Sequence, residues 1–336
     1  MSNQDSLRAP PVPPRSRRGI GWRPLVVLLL VLGGVTGNGV AWMQAWAMTH
    51  YAAAGPRTPP PEALAAPEKL WTVLTGVRVP RPENHHTPRD LGLAYSVRQI
   101  PIGGEHLEAW AVPHAQARGV VLLFPGYAAS KESLLAPAAA FSGLGYATLL
   151  VDFRGAGGSS GQETTLGVRE ATDVAQAVAY AQRAWPGRPL VLYGSSLGSA
   201  AILRAVATAG VRPAAVILES PFDRLLDTVG NRFTALGLPA FPGAALLVFW
   251  GSVQQGANGF ADNPVDDAPA VHCPTLLLHG TQDPRVTVAQ NAAIFAQLGG
   301  PKELVSFPGA GHAGLIQADP RLWQDHVARF LAVVAP

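Results

Sequence analysis

Short apolar runs, separated by stretches with helical periodicity, place the strongest constraint on how this chain can fold. The helical stretches include residues 168–185, 197–209, 288–298 and 322–334. The apolar runs cover residues 120–124, 146–151, 190–193, 215–218, 275–278 and 304–307. Runs of this kind are typical of parallel strands covered on both faces. Their alternation with helices predicts an α/β fold with a mostly parallel, doubly wound sheet.

A predicted hairpin precedes this series. Residues 95–102 and 106–112 have the composition of strands, and Gly103-Gly104 between them can adopt the positive backbone angles of a tight turn. The sheet should therefore begin with an antiparallel pair. The length of 336 residues would allow two domains. The single series of strands, with the spacing of the motifs described below, instead favours one folded domain over residues 93–336.

The N-terminal region has the features of a membrane-targeting segment. Residues 24–49 contain no charged side chain, and an apolar run at residues 25–32 directly follows a basic tail at residues 1–23. The arginines of the tail are Arg8, Arg15, Arg17, Arg18 and Arg23. An uncharged stretch of about 25 residues can cross a bilayer as a helix, and flanking arginines predict a cytoplasmic N-terminus. We therefore expect a single-pass anchor, with Trp42 and Trp46 at the far interface.

The alternative is a cleaved signal peptide. Ala45-Trp46-Ala47 has small residues at the spacing that a signal peptidase accepts, and glycines interrupt the apolar helix. The anchor places the downstream domain on the outer side of the cell membrane, whereas cleavage would release it as a secreted or periplasmic protein. In either case the downstream domain leaves the cytoplasm.

Residues 50–92 are rich in proline. Proline fixes the backbone in extended conformations and removes amide donors, so this segment is predicted to be a stiff spacer, with a short helix near residues 62–74.

Charge and cysteine content exclude several classes of function. Outside the first 23 residues the chain has 20 of its 25 basic and 21 of its 22 acidic residues, so the folded part carries no excess of positive charge for binding nucleic acid. Cys273 is the only cysteine, so no intramolecular disulfide can form. Its place beside a predicted strand favours a buried apolar role. No cluster of residues has metal-ligand spacing, and we expect no cofactor.

The strand at residues 190–193 runs into Gly194-Ser195-Ser196-Leu197-Gly198 and then into an alanine-rich helix. A serine at such a turn projects its hydroxyl from the sheet edge, and the glycines on either side avoid clashes between strand and helix. Ser196 is therefore the predicted nucleophile. Ser195 lies at the variable position of the motif and should not face a substrate.

A serine nucleophile needs a histidine base and a carboxylate that orients the base. Asp283 lies just beyond the strand at residues 275–278, and His312 lies in a glycine-bearing loop beyond the last strand. The order Ser, Asp, His is the one expected for this arrangement. Glu219, at the end of an earlier strand, is the competing acid, whereas His279 is expected to pack at a strand end.

Acyl transfer also needs two N–H donors that stabilise the developing oxyanion. We expect one from the backbone of Leu197 and the other from Tyr127, in the loop that follows the strand at residues 120–124. The glycine-rich loop at residues 152–159 resembles a dinucleotide-binding fingerprint, but Ser160 stands where the third glycine belongs. We interpret it as structural, with Asp152 and Arg154 bracing the turn.

Together these motifs resemble the α/β-hydrolase superfamily over about residues 94–334, and in particular its bacterial serine aminopeptidase-like and Bem46-like branch. The motifs that carry the resemblance are Phe124-Pro125-Gly126, Asp152-Phe153-Arg154-Gly155, Gly194-Ser195-Ser196-Leu197-Gly198, Glu219-Ser220-Pro221-Phe222, His279-Gly280 with Asp283, and Gly309-Ala310-Gly311-His312. The resemblance implies a small helical cap at about residues 222–270. Within the cap, the apolar stretch 244–250 could line an acyl site.

The leading functional hypothesis is a membrane-anchored hydrolase that cleaves a carboxylic ester through an acyl-serine intermediate. Its substrate would be a small or lipid-like acyl compound. A peptidase, a thioesterase or an acyltransferase could use the same three residues. A non-catalytic, membrane-tethered binding module is the hypothesis from a different class. The retained serine, acid and histidine argue against it.

Overall fold

The computed structural model describes residues 22–312 and 314–334. The predicted basic tail lies outside this part of the chain, except for its last two residues. The first helix, α1, spans Trp22–Thr49.

In the described part of the chain, eight strands form one sheet in the order β1-β2-β4-β3-β5-β6-β7-β8. The strands are β1 (Ser96–Ile102), β2 (Glu105–Val112), β3 (Val120–Phe124), β4 (Ala147–Val151), β5 (Leu190–Ser195), β6 (Ala215–Glu219), β7 (Thr275–Gly280) and β8 (Lys302–Phe307). β2 pairs antiparallel with both β1 and β4, and every other pair is parallel. The predicted doubly wound sheet with an antiparallel hairpin at its start is confirmed.

Helices cover both faces of this sheet. The remaining helices are α2 (Ala66–Thr75), α3 (Leu135–Gly143), α4 (Val168–Ala184), α5 (Leu197–Thr208), α6 (Leu225–Ala235), α7 (Gly243–Gln255), α8 (Pro264–Asp267), α9 (Val288–Gln297), α10 (Leu315–Ala318) and α11 (Pro320–Val334). Strand side chains point alternately to the two faces. In β3, Val120 and Leu122 pack in the core with α4 and α5, whereas Val121 and Leu123 pack in the core with α3 and α11.

The proline-rich segment at residues 50–92 differs from the expected spacer, because part of it packs against loops that follow β3 and β4. Tyr51 and Val79 are each only 7% exposed and cluster with Ala128. The backbone N–H of Tyr51 donates to the carbonyl oxygen of Gln162 at 2.8 Å. The prolines indicate extended backbone, but the buried side chains between them fix that backbone in place. The predicted short helix is present as α2.

The chain divides into two compact units after Gly39, inside α1, instead of at the predicted boundary near residue 49. Residues 40–49 belong to the same unit as the sheet, and Ala45 is only 2% exposed there. α1 is the one helix in the described part of the chain that is long and apolar enough to cross a membrane, and its most apolar stretch of 18 residues has a mean hydropathy of 2.0. A signal sequence near the N-terminus would have the same length and composition.

Candidate active site

Ser196 lies in the sharp turn between β5 and α5. It caps the N-terminus of α5 with φ of +50° and ψ of −108°, a conformation that non-glycine residues rarely adopt. A Cβ atom on Gly198 would lie 2.2 Å from the carbonyl oxygen of Phe124, and one on Gly194 would lie 2.5 Å from the backbone of Gly198. The turn is tight enough to require glycine at both positions.

The structure brings together the three residues predicted to perform the chemistry. His312 Nε2 lies 2.8 Å from Ser196 Oγ, and His312 Nδ1 lies 2.7 Å from Asp283 Oδ2. The side chains of His312 and Asp283 are 11% and 1% exposed. In the tautomer with Nδ1 protonated, the ring donates to the carboxylate and Nε2 accepts the hydrogen bond from the serine hydroxyl. This arrangement suits a proton acceptor for Ser196.

The loop after β7 fixes the carboxylate of Asp283. Its Oδ1 accepts hydrogen bonds from the backbone N–H groups of Arg285 at 2.7 Å and Val286 at 3.0 Å. These two bonds leave Oδ2 directed at the imidazole. The acid is therefore oriented by the backbone of its own loop.

Glu219, the competing acid, lies elsewhere in the site. It is buried at the end of β6, where its carboxylate accepts a hydrogen bond from the hydroxyl of Tyr193. Burial raises the pKa of Glu219, and the hydrogen bond from Tyr193, followed by the backbone of Leu315, the charge of His312 and the backbone of Gly314, partly offsets that rise. Its carboxylate thus contacts the segment after His312, while Asp283 receives the hydrogen bond of the ring.

The two predicted oxyanion donors lie beside the nucleophile. Leu197 is the first residue of α5. A Cβ atom on Gly126 would lie 3.6 Å from the Cβ atom of Ser196, so the loop that carries Tyr127 passes close to the turn. Among the described residues, neither the Leu197 N–H nor the Tyr127 N–H donates to a protein acceptor.

The side chain of Tyr127 has a contact that the sequence does not indicate. Its hydroxyl donates to the carbonyl oxygen of Met48 at 2.6 Å, and Arg57 Nη1 donates to the carbonyl oxygen of Ala128 at 3.2 Å. The end of α1 and the segment after it therefore support the same loop. Each pair of hydrogen-bonded residues lies about 70 to 80 positions apart in the sequence. No local motif could therefore identify Met48 or Arg57.

Hydrogen bonds and ion pairs of Asp152 and Arg154 hold the glycine-rich loop after β4. The buried carboxylate of Asp152 accepts hydrogen bonds from Lys131 Nζ, from the backbone N–H of Lys131 at 2.7 Å, and from the N–H of Gly158 at 3.0 Å. Arg154 Nε donates to Asp173 at 2.9 Å. Burial raises the pKa of Asp173 to about 7, against the opposing effect of Arg154.

An apolar cavity lies between the last turns of α1 and helices α6 and α7. Its lining includes Ala45, Met48, Leu225, Val229, Val248 and Gly251. Most of the lining surface is hydrocarbon, which suits an aliphatic ligand. The part of α7 that lines the cavity overlaps the apolar stretch in which an acyl site was expected.

Other candidate residues have structural surroundings. His279 is 1% exposed, its Nε2 lies 2.8 Å from Ser306 Oγ, and burial lowers its pKa. Burial raises the pKa of Cys273 to about 11, which favours the inert thiol. Across residues 22–312 and 314–334, no cluster of His, Cys, Asp and Glu could hold a metal ion.

Sequence comparisons identify relatives of this chain. The profile of the family described as serine aminopeptidase, S33, matches residues 115–246. An uncharacterized protein of Mycobacterium tuberculosis is 31% identical over 235 residues, which cover 69% of this chain and 77% of that protein. The lysophosphatidylserine lipase ABHD12 of Danio rerio is 30% identical over 146 residues, but these cover only 42% of this chain and 37% of the lipase.

Solved structures show the same fold. An esterase of Pyrococcus furiosus superimposes with a TM-score of 0.66 at 23% identity, over 76% of this chain and 97% of the esterase. Est1E of Butyrivibrio proteoclasticus, with ferulic acid bound, has a TM-score of 0.56 at 21% identity, over 70% of this chain and 98% of Est1E. The sheet order, the helices on both faces and these relatives agree. The chain belongs to the α/β-hydrolase superfamily.

Proposed function

We propose that this hydrolase cleaves carboxylic esters through an acyl-serine intermediate, with Ser196 as nucleophile, His312 as general base and Asp283 as the orienting acid. The observation that carries the proposal is the pair of distances around His312: 2.8 Å to the serine hydroxyl and 2.7 Å to the carboxylate. Both lie within the range needed for proton transfer and for orientation of the base.

In the first half-reaction, Nε2 of His312 removes the hydroxyl proton as Ser196 Oγ bonds to the ester carbonyl carbon. The carbonyl π electrons move to oxygen, and the oxyanion accepts hydrogen bonds from the N–H groups of Leu197 and Tyr127. When the intermediate collapses, the C–O bond to the alcohol breaks and His312 protonates the departing oxygen. Asp283 stabilises the transient imidazolium.

In the second half-reaction, water replaces the alcohol. His312 takes a proton from the water, whose oxygen attacks the acyl carbon. Collapse of the second tetrahedral intermediate breaks the bond to Ser196 Oγ, which regains its proton from the imidazolium. The products are the free acid and the unmodified enzyme.

A lipid-like acyl substrate is the best match to the site. The apolar cavity could hold an aliphatic chain. The loop of Gly126 and Tyr127 links the cavity to the nucleophile, because Gly126 lies near Ser196 while the Tyr127 hydroxyl contacts Met48 in the cavity wall. One relative is named a lysophosphatidylserine lipase. Helices α6 and α7 would act as the cap over this site.

Ester hydrolysis by matched serine variants tests the proposal. The substrates are p-nitrophenyl esters from acetyl to palmitoyl, beside aminoacyl anilides. Ser196→Ala should lower kcat by about 10⁴- to 10⁶-fold, as expected when the nucleophile of such a triad is removed. Ser195→Ala is the matched control one residue away and should retain most activity. Equal loss in both variants, or none in Ser196→Ala, would refute the assignment. Faster turnover of the anilides would favour a peptidase.

We further propose that α1 is retained as a membrane anchor. Gln44 Nε2 donates to the carbonyl oxygens of Thr72 and Val73 at 2.7 and 2.9 Å, and Ala45 is buried. Cleavage after residue 47 would remove both residues from the compact unit. Membrane fractionation and N-terminal sequencing of the mature protein test this proposal, and a mature chain that begins near residue 48 would contradict it.

A further inference from the structure

Three helices that meet at the end of α1 expose large apolar side chains, which form a surface we call the apolar patch. The patch consists of Trp42 and Trp46 of α1, Leu70, Trp71 and Leu74 of α2, and Phe249 and Val253 of α7, each between 47% and 68% exposed. Monomeric soluble proteins rarely expose this many large apolar side chains together. A surface of this kind needs an apolar partner.

Hydrogen bonds join the three helices that carry the patch. Gln44 of α1 donates to the carbonyl oxygens of Thr72 and Val73 in α2. Gln254 Nε2 of α7 donates to the carbonyl oxygen of Trp42 at 2.8 Å. All these partners belong to the same compact unit, so α2 and α7 are held at fixed positions beside residues 42–44.

The position of Trp42 and Gln44 along α1 indicates the depth at which the patch would lie in a bilayer. A transmembrane helix needs about 20 residues, and the uncharged sequence that begins at Pro24 reaches this length near Trp42 and Gln44. If α1 spans a bilayer, the residues that α2 and α7 contact lie at its far interface. Tryptophan is the residue that favours this level, and both α1 and α2 present it there.

The composition of α7 agrees with this depth. Gly243–Gln255 contains no charged residue, although Phe249 and Val253 face outward. The segment before α7 exposes Phe241 by 80%. An uncharged helix whose outer face is apolar fits the boundary between headgroups and acyl chains, where its apolar side chains leave water.

We propose that the apolar patch is a second membrane contact, in which α2 and α7 rest in the headgroup and upper acyl region of the bilayer that α1 crosses. The lipid bilayer is thus the partner of the patch. Val248 and Gly251, on the other side of α7, line the apolar cavity. On the proposed function, a single acyl chain would then move from the bilayer to Ser196 past α7 without entering bulk water.

Site-specific fluorescence quenching in reconstituted full-length protein tests the patch without depending on catalysis. Two variants, Trp71→Cys and Phe249→Cys, are made separately in a Cys273→Ser background, and the single cysteine of each is labelled with the fluorophore NBD. The vesicles contain phosphatidylethanolamine and phosphatidylglycerol, with nitroxide groups at a shallow or a deep acyl position. Leu29→Cys in α1 is the positive control, and Arg188→Cys, exposed before β5 at the opposite sheet edge from Ser196, is the negative control.

The proposal predicts strong quenching at positions 71 and 249, greater with the shallow than with the deep nitroxide. Position 29 should be quenched and position 188 should not. Quenching at 71 and 249 as weak as at 188, with position 29 still quenched, would overturn the patch but retain the anchor. Absence of quenching at position 29 as well would overturn both. Because all labelled sites are exposed, a melting curve close to that of the unmodified protein confirms that each variant is folded.

Discussion

The turn around Ser196 depends on glycine at position 198, and Gly198→Ala tests this requirement. The new methyl carbon would lie 2.2 Å from the carbonyl oxygen of Phe124 and 2.9 Å from that of Pro125. Ordinary contacts begin near 3.4 Å, so the overlap exceeds 1 Å. Both neighbours are backbone atoms, which cannot rotate away. β3 and the loop that carries Tyr127 must therefore shift relative to α5.

The expected cost is about 3 kcal/mol of unfolding free energy, at the upper end of the usual range for overpacking. This corresponds to a fall in Tm of roughly 5–10 °C in a domain of this size. A shift of about 1 Å at an oxyanion donor can lower kcat by about 100-fold. Thermal unfolding and p-nitrophenyl ester kinetics measure the two effects separately, and kcat is read well below the Tm.

Gly143→Ala is the matched control. Gly143 ends α3, no atom lies within 4 Å of the position that an added methyl carbon would take, and its φ is not in the left-handed region. This substitution should leave kcat unchanged and raise stability by about 0.5–1 kcal/mol, because alanine loses less backbone entropy. A Gly198→Ala variant as stable and active as the Gly143→Ala variant would refute the close-packing argument.

Three further predictions concern buried polar groups. Asp283→Asn should lower kcat by about 10⁴-fold with little change in KM, because an amide cannot stabilise the imidazolium of His312; steady-state kinetics that show a loss below tenfold would contradict this. Lys131→Met should cost about 3–5 kcal/mol in urea unfolding, because it leaves the carboxylate of Asp152 buried without its ammonium partner, and a neutral effect would contradict the pairing. Burial raises the pKa of Asp262 to about 8, so between roughly pH 4 and 8 the folded chain retains a proton that the unfolded chain has released. The free energy of unfolding should fall by up to about 1.4 kcal/mol per pH unit over that window. Urea unfolding at pH 5 and 7.5 measures this fall, which should be smaller in Asp262→Asn. An equal fall in both proteins would contradict the raised pKa of Asp262.

Much of the fold could be predicted because short apolar runs in the sequence mark its strands. The run at residues 120–124 matches β3 at both ends, and the run at 215–218 falls one residue short of β6. Continuous burial on both faces leaves an uninterrupted apolar stretch that can be recognised without any tertiary information. The candidate site could be predicted for a similar reason, since the ends of parallel strands meet at one sheet edge.

The features that were not predicted depend on contacts between distant residues. Proline in the segment at residues 50–92 indicates extended backbone, but it does not say that Tyr51 packs against Ala128. Charge-free sequence up to residue 49 indicates a membrane segment, but not that its last ten residues belong to the catalytic unit. The bond from Tyr127 to Met48 likewise joins two residues that no local pattern connects.

The identity of the nucleophile is tested most directly by mapping a covalent adduct. Folded full-length protein is treated with a fluorophosphonate, digested and examined by mass spectrometry. The proposed mechanism predicts one adduct on Ser196, none in the Ser196→Ala variant, and an undiminished adduct in the Ser195→Ala variant. Labelling of Ser195, or no labelling of folded protein that has a normal melting curve, would contradict it.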